Sequence, residues 1–329
     1  MFEKALLKIV RPWLRRNMFS EDEIEASCRS AVDVKKRVFW FFWRMMRDPI
    51  LEYQRLRYNS ICSLPDREAV RYEDELRFLR TTNGCAPIFP YPQIVGMDDG
   101  KQIISGVEDR LPFVVHRGHK LFFPKAYSLH DAEWLYRYYV KTEGILGTGL
   151  LLKSPHSYVT SSFAVEEGDV LLDVGCSEGL FALDNCEKAS KVYLFEAQKI
   201  WKLANEKTFS PFRDKVQVIN RFVGSETRGG MISLADAVRD ESSTAQYFIK
   251  MDIEGGERTV MSSSAEFLKT HRVKIACAAY HRQDDFAYLK KFLTDLGFDV
   301  SSSDGYMLPD INGFVYPYFR RGIIYARNF

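Results

Sequence analysis

The chain has 329 residues, 46% hydrophobic and 14% aromatic, enough for one large domain or two ordinary ones with real cores. Its 46 basic and 44 acidic residues leave a formal net charge of +2, which excludes a general polyanion binder, so no nucleic-acid partner is expected. Six cysteines without a C-x-x-C pair read as reduced thiols rather than a disulfide framework or zinc site. No apolar run reaches the ~20 residues of a membrane span, and no signal peptide is apparent, so the expected location is cytoplasmic.

In chain order, residues 1–83 read as a helical N-terminal region. MFEKALLKIVRPWLRR sets Phe2, Leu6, Ile9, Val10 and Trp13 on one face among Lys4, Lys8, Arg11, Arg15 and Arg16. That pattern suits either a helix packed on its own domain or a second subunit, or a peripheral contact with an anionic membrane face. KKRVFWFFWRMM is too short to span a bilayer and reads as a buried helix or a dimer contact. Further helices are expected to about Arg57 and from Asp66 to Arg80. Residues 84–150 read as a small α+β accessory unit. Pro87, Pro90 and Pro92 break the helical pattern, LPFVVHRGHKLFFP gives two short strands around an H-R-G-H turn, and Ser128 to Glu143 is helical. His116 and His119 invite a metal reading, but no third ligand completes it and the turn accounts for both. The bridge that follows carries His156 and Tyr158 toward the second half, as candidates for the substrate side.

Residues 151–329 alternate strand and helix. GDVLLDVGCSEG places a buried strand, Val170 to Val174, before a D-x-G-x-x-x-G turn, with a helix from Leu180. Asp173, Gly175, Ser177, Glu178 and Gly179 are the loop's candidate ligand contacts. The next strand, Val192 to Phe195, ends in Glu196, 23 positions after Asp173 and followed by Ala197. An acid at about that distance accepts ribose hydroxyls in doubly wound folds. Helix Lys199 to Phe209, strand Val216 to Ile219 and the turn RFVGSETRGG, where an adenine could be flanked, come next. Strand Tyr247 to Met251 ends in Asp252, with Glu254 and Glu257 beyond it. Helix Arg258 to Leu268 leads to strand Lys274 to Ala279, which ends in Tyr280, His281 and Arg282. Helix Asp284 to Leu296 and strands Phe298 to Val300 and Gly322 to Ala326 complete the alternation.

These residues, D-V-G-x-x-x-G, V-Y-L-F-E, S-L-A-D and F-I-K-M-D-I-E-G-G-E, resemble the FkbM family of S-adenosylmethionine-dependent methyltransferases over about residues 165–300. S-P-H-x-Y, Y-H-R-x-D-D and P-Y-F-R-R-G extend the resemblance to bacterial relatives. It implies a class I methyltransferase fold, a Rossmann-like doubly wound sheet of seven strands with the last antiparallel. It also implies O-methylation of a sugar or another small-molecule hydroxyl, with a bacterial surface polysaccharide or glycan precursor as the expected acceptor. The chain departs at Cys176, Ser177 and Glu178, where the family has Ala-Asn-Ile, and at Ala235, where S-L-D is usual. Glu178 then stands either as a partner for the cofactor's ammonium or as a helix-start acid.

Methyl transfer needs an acceptor oxygen placed in line and its proton removed. His281 is the first candidate base because an ordinary imidazole titrates near ~6.5. Asp252 is the alternative base, or a ligand for a divalent metal such as magnesium. Glu254, Tyr280 and Arg282 join His156 and Tyr158 on the substrate side. Two other readings stay open: a methyltransferase-like binding or scaffold module without chemistry, and a dinucleotide-dependent oxidoreductase. The oxidoreductase reading is weakened by the absence of G-x-G-x-x-G.

Overall fold

The computed structural model describes residues 55–82, 84, 86–92, 103–143, 154–309 and 316–329. The basic helix at residues 1–16, the KKRVFWFFWRMM segment and most of the bridge at 144–153 lie outside them. Two compact units divide between Ser63 and Leu64. Of the first, residues 55–63 are described, helical over 55–62. No helix among the described residues is long and apolar enough to cross a membrane.

The second unit is organised on strand β4 (Val170–Val174), every residue of which is buried. Continuous burial is what a central parallel strand covered on both faces requires, and it explains the unbroken VLLDV run. Beside it lie β5 (Lys191–Phe195) and β9 (Gln246–Met251), with Leu172 opposite both Tyr193 and Ile249. β6 (Val216–Ile219) continues outward from β5, and β10 (Arg272–Ala278) from β9. The sheet finishes with β12 (Ile323–Arg327), inserted antiparallel between β10 and β11 (Asp299–Ser302). The spatial order β11-β12-β10-β9-β4-β5-β6 is that of a class I methyltransferase sheet, as the resemblance implies. Side chains alternate between its faces. Leu171, Phe248, Ala276 and Tyr325 join an aromatic-rich core on one side; Leu172, Ile249, Ile275 and Ile324 join an aliphatic core on the other.

The accessory region forms a meander of β1 (Ser105–Glu108), β2 (Leu111–His116) and β3 (His119–Phe122). β1 is a strand the sequence pattern does not announce. Arg117 and Gly118 take φ of 51° and 87°, the left-handed pair of a two-residue hairpin turn that matches strand twist. Of the helices before this meander, α1 covers Asp66–Ala69 and α2 Glu73–Leu79. After it, α3 (Leu129–Thr142) begins with a reciprocal capping box between Ser128 and Asp131, the arrangement that satisfies two orphan amide groups at once. His116 is held by Tyr136 Oη at 2.9 Å and Asp184 Oδ1 at 2.8 Å, so this histidine docks the meander on the sheet domain. His119 sits at the turn, 3.7 Å from Glu187.

Helices α4 (Leu180–Asn185), α5 (Lys202–Thr208) and α6 (Leu234–Ala237) follow β4, β5 and β8 respectively, β7 (Phe222–Val223) and β8 (Met231–Ile232) being a two-residue parallel ribbon. The single helix expected over 258–268 is two, α7 (Glu257–Ser263) and α8 (Ala265–Thr270). Ser264 lies between them at φ −97°, ψ 9°, outside helical geometry. α9 (Asp285–Asp295) buries Leu289 and Leu293.

Candidate active site

The chain leaves β4 in one direction to β5 and returns to its other side at β9, so the carboxyl ends of β4 and β9 form the switch point where open α/β sheets bind ligands. A cleft of about 530 Å³ opens there, within the range of small-molecule sites. Gly175, Ser177, Glu196 and Ala197 form one wall, Phe222 and Met231 a second, Asp252 and Glu254 a third. The turn RFVGSETRGG therefore reaches the cleft as expected, carried by the β7–β8 ribbon.

Close approach of two backbones dictates the first glycine. Gly175 has φ 79°, and a Cβ there would lie 1.9 Å from the carbonyl oxygen of Asp252. Ser177 takes φ 49° without being glycine, and neighbours hold it in place. Its amide donates to Glu196 Oε2 at 3.1 Å, and its carbonyl accepts from Asn205 Nδ2 at 2.9 Å. Glu196 Oε1 also accepts from the Gln198 amide at 2.7 Å, so this acid shapes the loop as well as facing the cleft. Asp173 is absent from the cleft wall. Its fully buried carboxylate lies 3.1 Å from Lys250 Nζ, which donates at 2.7 Å to the Gly175 carbonyl. Burial alone would lower the lysine's pKa, but Asp173, Asp252 and Glu143 outweigh it and the ammonium is held charged. Asp173 thus acts on the loop through Lys250. Gly179 (φ 82°) starts α4 and faces Phe209, 2.7 Å from where a Cβ would stand, so it serves packing.

Asp252 gathers the segments that flank the sheet. Tyr158 Oη donates to its Oδ2 at 2.6 Å and Tyr280 Oη at 3.2 Å, while His156 Nε2 lies 3.4 Å from the same oxygen. His156 Nε2 is also 3.1 Å from Tyr280 Oη and 3.2 Å from Tyr158 Oη. Burial would raise the carboxyl's pKa, but the hydrogen bond and charge of His156 and the fields of His281 and Lys250 reverse the effect and lower it. Burial and Asp252 push both phenols well up, so they remain donors.

His281 stands behind Asp252 and is 2% exposed. Its Nδ1 lies 3.1 Å from Glu257 Oε1, and its Nε2 is 3.3 Å from Asp252 Oδ1 and 3.5 Å from Glu254 Oε2. Burial would lower its pKa, yet the Glu257 hydrogen bond and the three carboxylates raise it. The ring is thus walled in by carboxylates, with Nδ1 facing Glu257 and Nε2 facing Asp252. Asp252, Glu257 and His281 lie close enough to suggest a cation site. Each offers one ligand atom within 4.8 Å of the others, but a set that includes a buried imidazole is not the all-oxygen set that magnesium favours. Arg282 donates from Nη2 to the Gly255 carbonyl at 2.9 Å. Glu254, at φ 55°, has an 83% exposed side chain at the cleft's lip.

One acid of this neighbourhood has no motif to announce it. Glu143 caps the carboxyl end of α3, and its carboxylate senses Glu178, Lys250, Asp252 and Asp173. The only sequence signal was its position before Gly144, read there as a helix stop.

Residues 221–300 match the family model described as the methyltransferase FkbM domain. No curated protein matches the chain. Among solved structures, it is similar to methyltransferase FkbM from Methylobacillus flagellatus KT at 18% identity and TM-score 0.41, over 51% of this chain and 45% of that one. It is also similar to a precorrin-6y C5,15-methyltransferase from Geobacter metallireducens GS-15, at 12% identity and TM-score 0.33, over 50% of this chain and 81% of that one. The match thus spans less than half of the Methylobacillus protein's length, and none of these likenesses bears on activity. The matched segment runs from the cleft's Arg221 through the β9 strand end that carries Asp252, so the similarity to the methyltransferase FkbM domain falls on the residues that build the cleft.

Proposed function

We propose that the protein transfers a methyl group from S-adenosylmethionine to a hydroxyl oxygen, with a sugar of a bacterial surface polysaccharide or glycan precursor as the acceptor class. The observation that carries this reading is the FkbM domain match over the strand that delivers Asp252 to the cleft. The cleft's residues fit the cofactor: Glu196 stands at the ribose address, while Phe222, Met231, Ile253 and Val260 offer apolar surface for a base. When bound, the cofactor supplies an electrophilic methyl on a positively charged sulfur. Asp252, kept anionic by its neighbours, accepts a hydrogen bond from the acceptor hydroxyl and orients its oxygen toward the methyl, a role its lowered pKa suits better than that of a strong base. Tyr158 and Tyr280 fix the carboxylate's rotation by donating to Oδ2, and His281 holds it from behind. In this reading Asp252 takes the place beside the acceptor proton first expected of His281, because the histidine is buried behind it with its ring nitrogens facing carboxylates.

Calorimetry with S-adenosylhomocysteine, followed by mass-spectrometric detection of labelled methyl on candidate glycans, tests this. Binding at micromolar ligand is expected, with Asp252→Asn preserving it while lowering turnover at least about 100-fold. A wild-type chain that does not bind the homocysteine product would remove the proposal.

A further inference from the structure

Two phenols and an imidazole meet at Asp252, and the imidazole comes from the segment 154–158, whose backbone is fixed on both sides of His156. The Pro155 carbonyl accepts from Ser303 Oγ at 2.7 Å and packs so closely on Gly322 that a Cβ there would stand 1.8 Å from its oxygen. The Ser157 carbonyl accepts from Tyr325 Oη of β12 at 2.6 Å. His156 is 9% exposed, and the centre of the Phe89 ring lies 5.9 Å from that of the imidazole. Its Nε2 meets three oxygens: Tyr280 Oη at 3.1 Å, Tyr158 Oη at 3.2 Å and Asp252 Oδ2 at 3.4 Å. Its Nδ1 is buried with no hydrogen-bond partner among the described residues.

Each phenol has one proton to give. Tyr158 Oη, 2.6 Å from Asp252 Oδ2, gives its proton there. Tyr280 Oη stands 3.2 Å from the same oxygen and 3.1 Å from His156 Nε2, so distance does not decide its direction. The imidazole does. A bare Nε2 would draw the Tyr280 proton away from Asp252, and in the neutral ring it would put the remaining proton on Nδ1, a buried N–H without an acceptor. Buried N–H groups are seldom orphaned, whereas acceptors more often are, and the other tautomer leaves only a lone pair unmatched at Nδ1. We propose that His156 is a positioning residue for methyl transfer: held as the Nε2–H tautomer, it donates to the phenol oxygens and so turns both phenolic protons onto Asp252. The proposal rests on the methyltransferase reading of the cleft, in which this carboxylate aims the acceptor hydroxyl. Electrostatics agree, because against burial the hydrogen bond from His156 is the largest of the effects that lower the Asp252 pKa. Without that donor the Tyr280 proton is free to leave the carboxylate, which then has one contact fewer to fix its rotation.

The test uses the intact chain labelled with the heavy nitrogen isotope at histidine. Long-range proton–nitrogen correlation spectra near pH 8, above the ordinary imidazole range, read which ring nitrogen carries the proton, and the signals lost in His156→Gln identify His156. A protonated Nε2 with a bare Nδ1 is expected, and a bare Nε2 overturns the proposal. The second arm is kinetic, on whichever glycan the mass-spectrometric screen finds methylated. His156→Leu is expected to lower kcat about tenfold or more, with KM for that glycan and Kd for S-adenosylhomocysteine changed by less than about twofold. His156→Gln, whose amide can donate from near the place of Nε2, recovers most of the loss although it removes the ring just as His156→Leu does. Turnover in His156→Gln no better than in His156→Leu, or a loss that falls on KM rather than kcat, overturns the positioning role. A wild type that binds no S-adenosylhomocysteine would instead remove the methyltransferase reading, and the nitrogen spectrum decides the tautomer with or without turnover.

Discussion

His281 shows how a residue chosen for one kind of chemistry does another. An imidazole at a strand end beside two carboxylates fits a base on sequence grounds, and the carboxylates are where they were expected. What the sequence cannot show is that both ring nitrogens are used by acids and that the ring is sealed from the cleft. Because the folded-state pKa is raised above the ordinary ~6.5, the stabilisation that His281 supplies is fully present below that value. It is lost as pH rises through the raised one. Urea unfolding of wild type and His281→Gln is therefore expected to show a stability gap that narrows as pH rises from 6 to 9. His281→Leu, which leaves Glu257 buried without its cation, should cost about 3–5 kcal/mol below neutral pH. An NMR titration placing His281 below 6.5 would contradict both expectations.

Among the elements, the glycine loop and β9 are the least tolerant pair. Gly175→Ala sets a Cβ against the Asp252 carbonyl and also requires left-handed backbone of an L residue. It should cost more than about 2 kcal/mol and weaken nucleoside binding, as read by urea unfolding and calorimetry. Ser128→Ala removes a cap far from the cleft and should cost about 1 kcal/mol of stability with binding intact. The long buried strands β4, β5, β9 and β10 were legible in the sequence because continuous burial leaves an apolar run. β1 and the β7–β8 ribbon were not, since four- and two-residue strands with exposed positions carry no periodicity. The split at Ser264 was hidden because the apolar spacing continues across it, with Val260, Met261, Phe267 and Leu268 all buried. That Gly175, Ser177 and Glu196 meet at one cleft was legible from their spacing, whereas Glu143 comes from a different segment and no spacing links it to them.

For the whole unit from Leu64 onward, the meander and the sheet are tied by the buried contact of His116 with Asp184 and by the Phe122 amide donating to Thr208 Oγ1 at 2.9 Å. Native-state hydrogen exchange should find β2–β3 amides opening at a free energy within about 1 kcal/mol of those of β4 and β9, as one cooperative unit. Substantially faster exchange in the meander would mean that it opens alone. The position of β12 has a consequence for biosynthesis. The strand made last among those of the sheet occupies an inner place in it, so the growing chain leaves β10 with an unpaired edge and β11 with no neighbour until residue 327 has emerged. A ribosome that stalls a few codons earlier would release a polypeptide with its cleft residues all present and a sticky sheet margin exposed. Such a product would be cleared or aggregate rather than work at reduced rate.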